Sequence, residues 1–114
     1  MPASINLERL ESISFGDAAF SAELVAVFLD DSPEQVRRLA EAVARTDARE
    51  VTSAAHRLKG AAANLGADRL AELCRELEAI GREGRAAEFA GRLGVIEDVF
   101  DQVRRELEEL PTAG

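Results

Sequence analysis

At 114 residues the chain has room for one hydrophobic core of ordinary size and not for two, so a single domain over 1–114 is expected. A formal charge of −8 at pH 7 excludes nucleic acid as a partner, because binding phosphate needs clustered Lys and Arg, and it opposes adsorption to an anionic membrane. Hydrophobic residues make up 46% of the sequence but aromatics only 4%, a balance rich in Ala, Leu, Glu and Arg that belongs to helices packed closely through small side chains.

The opening MPASINLERL carries neither a basic segment nor a long apolar run, and nowhere do about 18 uncharged apolar residues follow one another. A cytoplasmic protein without a membrane span is expected. Cys74, the only cysteine, cannot form an internal disulfide, and its place among Leu70, Leu73 and Leu77 predicts a buried small hydrophobe.

In chain order the periods are helical, and no sustained alternation of period two predicts a strand. Asn6 caps a short segment carrying Leu7, Leu10 and Ile13, and Ser14-Phe15-Gly16-Asp17 breaks it, with Asp17 as the next cap. A second helix is expected from about Ala18 to Asp31. Ser32-Pro33-Glu34-Gln35 then matches a capping-box start, with proline at the first helical position, for a third helix ending near Arg45. The two read either as successive helices or as one kinked element.

Asp47 caps a fourth helix reaching about Leu65, where Gly66 supplies a left-handed stop. A fifth is expected from about Ala67 to Ile80, and Gly81-Arg82-Glu83-Gly84-Arg85 reads as a turn. The last amphipathic helix runs from about Ala86 to Leu110 and includes Gly91 and Gly94, before a frayed tail at Pro111-Thr112-Ala113-Gly114. The fold class is therefore all-α: an antiparallel up-down four-helix bundle of helices three to six, with short N-terminal helices packed across it.

The fourth helix holds the only histidine. Its core stripe is Val51, Ala55, Leu58, Ala62 and Leu65, and Thr52, His56, Lys59 and Ala63 share the neighbouring face with Gly60 on its shoulder. His56 should thus sit at the edge of the core and reach solvent. A hairpin pivoting near Gly66 brings His56 beside residues 76–78, where Glu78 is either a solvated residue or a partner for the imidazole. As a partner it would accept from Nδ1 and leave Nε2 as the exposed nucleophile.

Lys59, expected to be exposed and of little weight in the fold, is placed to attract the oxygens of an incoming phosphoryl group. A mid-helix glycine costs about 1 kcal/mol relative to alanine, so Gly60 either admits a close approach from outside or allows packing against Leu73 or Cys74. One His, one buried Cys and scattered carboxylates supply no metal-ligand set.

The run from Ala55 to Ala67, with His56, Leu58-Lys59-Gly60 and Gly66-Ala67, followed by Leu70, Leu73-Cys74 and Leu77-Glu78, resembles the signature of histidine-containing phosphotransfer (HPt) domains. The resemblance implies a phosphoacceptor at His56, assistance from Lys59, and docking of a receiver domain over Gly60, Ala63 and Thr52, with Glu78 and Arg82 in support. It implies a phosphoryl carrier, not an enzyme, that exchanges with the receiver domain of a response regulator and with a hybrid histidine kinase.

No cofactor is expected on this chain, since Mg²⁺ belongs to the receiver, and a monomer is expected. A helical adaptor that binds a receiver or kinase without transferring phosphate is the alternative from another class, and a plain structural bundle is a third. His56, Lys59 and Gly60 standing together distinguish the carrier from both.

Overall fold

The computed structural model describes residues 5–110; the tail read at 111–114 lies outside the described residues. Five α-helices follow one another: α1 (Leu7–Ile13), α2 (Ala18–Ala44), α3 (Ala48–Leu65), α4 (Asp68–Arg82) and α5 (Phe89–Glu109), with a 3₁₀ turn at Ala86–Glu88 before α5. Three of the four N-caps read from the sequence form as expected. Asn6 Oδ1 accepts from Arg9 N at 3.0 Å, Asp17 Oδ1 from Ala19 N at 2.9 Å, and Asp47 Oδ1 from Glu50 N at 3.1 Å, each satisfying an amide that the helix start leaves open.

The second and third expected helices are one. Helix α2 runs 27 residues straight through Pro33, so Ser32 caps nothing. Proline removes a single donor from the ladder, whereas the apolar stripe of Phe28, Leu39 and Ala42 continues on both sides of it and is buried throughout. That burial outweighs one missing hydrogen bond. Ser32 falls on the same stripe, fully buried, and its hydroxyl has no hydrogen-bond partner.

The bundle is accordingly α2, α3, α4 and α5, the expected helices three to six with the third extended back to Ala18, and α1 alone is added to it. A helix of this length spans about 40 Å, which accounts for the 45 Å long axis against 23 and 22 Å across.

Core side chains come from every helix and are almost entirely aliphatic. Val51, Ala55, Leu58, Ala62 and Leu65 are all buried on α3, as are Leu70, Cys74, Leu77 and Ile80 on α4 and Ile96, Val99, Val103 and Leu107 on α5. Of the three core phenylalanines Phe28, Phe89 and Phe100, Phe28 and Phe100 meet across α2 and α5 with ring centroids 5.8 Å apart. Among the described residues the buried polar or charged side chains are Ser14, Ser32 and Glu78, so Glu78 is the one charge in the interior.

Two glycines set the geometry of the α3/α4 hairpin. Gly66 ends α3 at φ +81, and Ala67 N donates to Ala62 O at 2.9 Å, closing the turn. A Cβ on Gly66 would also lie 3.0 Å from Asn6 O, where Asn6 N donates to Gly66 O at 2.9 Å and ties α1 to the end of α3.

Gly81 corrects the sequence reading: it lies inside α4, which runs two residues beyond Ile80. It is buried against α3, where a Cβ would meet Thr52 Oγ1 at 2.4 Å, Thr52 N at 3.2 Å and Ala48 O at 3.3 Å. The turn itself is shorter than predicted and centres on Gly84 at φ +69.

Gly81→Ala should therefore destabilise the fold by about 1–3 kcal/mol in denaturant melts, since two helix backbones must separate to admit the methyl. A melt unchanged or strengthened by this substitution would contradict the close contact.

Candidate functional site

His56 occupies the middle of α3, one residue past Ala55 on the core stripe. That offset of about 100° around the helix takes the imidazole out of the interior while its Cα remains fixed by the buried residues on either side. The ring is 63% exposed, and Glu78, which faces it from α4, is 3% exposed at its side chain. Nδ1 lies 3.3 Å from Glu78 Oε1 and 3.2 Å from Oε2. With the carboxylate ionised, Nδ1 carries the hydrogen and donates it, leaving the Nε2 lone pair toward solvent.

The same carboxylate holds two cations. Lys59 Nζ is 2.8 Å from Oε1, and the Arg82 guanidinium donates to Oε2 from one turn further along α4. Burial pushes the Glu78 carboxyl up, but hydrogen bonds from Lys59 and His56 and the charges of Lys59 and Arg82 outweigh it and hold it below the usual carboxylate range.

Glu78 is thus no solvated residue. Lys59, expected to be exposed, is only 30% exposed, and its ammonium reaches the buried carboxylate. Removing it leaves a partly uncompensated interior charge, so its weight in the fold exceeds that of an exposed lysine.

The other candidates divide to the two sides of His56. Gly60 and Ala63 line a groove with Lys59 on the side toward α1, where two ion pairs, Arg9 with Asp68 and Arg75 with Glu72, balance the charge. A Cβ built on Gly60 meets nothing within 4 Å, which removes the alternative of packing against Leu73 or Cys74. Thr52 lines the opposite groove, between α3 and α4, with His56, Arg49, Arg57 and Arg82. Its hydroxyl is already used, donating to Ala48 O at 2.8 Å against Gly81.

Arg49, Arg57 and Gly81 were not singled out in the sequence. Gly81 had a signal, since Leu70, Cys74, Leu77 and Gly81 follow core spacing, but its nearness to Gly84 reads as a turn.

Burial pushes the Cys74 thiol up to about 12 despite the opposing charge of Lys59, so it is no nucleophile near neutral pH. Among the described residues no group of three or more His, Cys, Asp or Glu side chains could hold a metal ion, and no single helix is long and apolar enough to cross a membrane.

Comparison with known proteins gives the family and the fold. The family model described as Hpt domain matches residues 23–112. Among solved structures the chain is similar to the crystal structure of histidine-containing phosphotransfer protein B (HptB) from Pseudomonas aeruginosa PAO1, with 28% identity, a TM-score of 0.88, and coverage of 96% of this chain and 95% of that one. No curated protein matches the chain.

Two outcomes follow from the geometry. Because the ion pairs hold the Glu78 carboxyl low, they add stability that is complete above its ordinary value of 4.5 and lost as pH falls through the depressed one. The stability difference between the parent and Glu78→Gln should therefore favour the parent at pH 7 and shrink in acid; a difference independent of pH would contradict the charged cluster.

At Gly60, Ala should stabilise the exposed helix by about 0.4–1 kcal/mol. Gln at that position should leave denaturant melts near those of the parent while suppressing phosphoryl transfer, and a large loss of stability would return Gly60 to a packing role.

Proposed function

The chain belongs to the Hpt domain family and acts as a histidine phosphotransfer protein in a phosphorelay; from that premise we propose that His56 is the residue that carries the phosphoryl group. The observation that carries this reading is the imidazole held through Nδ1 by a buried carboxylate, with Nε2 turned outward. A non-transferring adaptor has no use for such an arrangement, which is that of an oriented nucleophile.

In the proposed reaction, Nε2 of the neutral imidazole attacks the phosphorus of an aspartyl phosphate presented by a receiver domain. The N–P bond forms, the acyl P–O bond breaks, and the aspartate leaves with the electron pair as a carboxylate. No proton has to leave Nε2, because the hydrogen sits on Nδ1. The ring becomes cationic as the bond forms, and Glu78 accepts from Nδ1–H where that charge develops, a preorganised electrostatic contribution. Lys59, one turn beyond His56, supplies positive charge to the phosphoryl oxygens. Transfer onward to another aspartate reverses the same steps.

This chain then supplies a positioned imidazole and its electrostatics, and the receiver supplies Mg²⁺ and the reacting aspartate, so the protein is a carrier that depends on its partners for catalysis. The proposal includes a monomer in the cytoplasm, moving between a hybrid histidine kinase and the receiver of a response regulator. Gly60, which has open space above it, is read as the point of closest approach.

Incubation with an aspartyl-phosphorylated receiver and Mg²⁺ should place an acid-labile, base-stable phosphoryl group on the parent and none on His56→Gln. Lys59→Ala should slow transfer by about 10- to 100-fold, equivalent to roughly 1.4–2.7 kcal/mol of transition-state stabilisation. Labelling of the Gln variant at the parental rate would show that His56 is not the acceptor.

A further inference from the structure

The cations of this acidic chain are mostly neutralised where they stand. Arg9, Arg37, Arg38, Arg75, Arg82, Arg85, Arg92, Arg104 and Arg105 each hold a carboxylate, as does Lys59. Arg45, Arg49, Arg57 and Arg69 hold none among the described residues, and of these four Arg49 and Arg57 line the groove that runs from His56 toward the start of α3. The one carboxylate in that groove, Glu78, is engaged by Lys59, Arg82 and His56. Glu50 lines the next groove along with Arg57 but forms no ion pair with it. The groove beside the imidazole is therefore an island of net positive charge on a molecule of formal charge −8.

Local structure does not account for Arg49. It lies in the first turn of α3, where the helix dipole disfavours a cation, and it forms no ion pair with a described carboxylate. On the other side of His56 the groove over Gly60 and Ala63 is charge-balanced by its own ion pairs. The two sides thus differ sharply in what they attract.

We propose that the α3/α4 groove is the docking lane for an acidic edge of the receiver domain, recognised by Arg49 and Arg57, so that the partner's orientation over His56 is set by charge on this side. The inference rests on the phosphotransfer reading and adds which face of the carrier selects its partner. The occupant follows from charge: the partner that must meet His56 is the receiver domain, and an acidic edge on it would be complementary to the unpaired guanidinium groups of Arg49 and Arg57 while the rest of this acidic chain repels it. Recognition of this kind acts on encounter and register more than on the chemical step, and it weakens with salt.

The test measures initial transfer rate against receiver concentration at low and at high salt. The probe is an aspartyl-phosphorylated receiver domain from the same organism, chosen as the one that labels the parent fastest. Replacing both Arg49→Glu and Arg57→Glu should raise the half-saturating receiver concentration by about 10-fold or more at low salt, with a much smaller rise at high salt and a saturated rate within about two-fold of the parent.

Arg69→Glu, a charge reversal on α4 outside the groove, should change the half-saturating concentration by less than about two-fold. If the double variant behaves like Arg69→Glu, or loses only saturated rate, the docking lane is wrong while phosphotransfer at His56 stands. If no receiver labels the parent at His56, the functional reading falls and the docking lane with it.

Discussion

A single ionised carboxylate inside an otherwise aliphatic bundle imposes most of the order seen around it. Glu78 is buried, and an interior charge is tolerated only when its oxygens are fully engaged. Here three donors meet that requirement, His56 and Lys59 from α3 and Arg82 from α4. The requirement acts in both directions. It gives the imidazole one tautomer, and it holds the two helices in one register, because a slip of a single residue would take His56 and Lys59 to other faces of α3 and leave the carboxylate alone.

The rest of the hairpin can be understood as the means of bringing those groups together. Gly66 turns the chain at a positive φ within hydrogen-bonding distance of Asn6, and Gly81 lets the far end of α4 lie against the backbone of α3 at Thr52. The buried stripe of α3 carries small residues at Ala55 and Ala62, which suit close helix packing. Larger side chains there would overpack the core that holds α3 in place. The composition noted at the outset, rich in alanine and poor in aromatics, is thus a geometric condition for the site as well as for the fold.

Helices α2 and α5 contribute differently. They close the core over the hairpin through Phe28, Leu39, Ile96 and Phe100, and their charged residues are largely spent on pairs within one helix, such as Arg37 with Glu34 and Arg104 with Asp101. Surface pairs of that kind add little stability, but they neutralise the cations they contain. What remains unneutralised beside His56 stands out more clearly because so much else is paired, and the field of the molecule is shaped by which arginines lack a partner more than by how many there are.

The sequence by itself determined the helices, their caps at Asn6, Asp17 and Asp47, the stop at Gly66, the buried stripe of α3 and the placement of His56 just off it. Each of these depends on local chemistry or on a period of 3.6 residues, and both are written in the order of the side chains. Only the tertiary structure decided the remaining questions. Ser32-Pro33 has the local form of a helix start, yet burial of Phe28 and Leu39 on one face carries α2 through it, because packing across two helices outweighs one lost backbone donor. Gly81 has the local form of a turn, yet it belongs to a helix whose neighbour lies too close for a methyl. Gly60 and Glu78 each had two local readings. Open space above Gly60 and three donors around Glu78 separate those readings, and both facts depend on where other helices lie, which no single segment encodes.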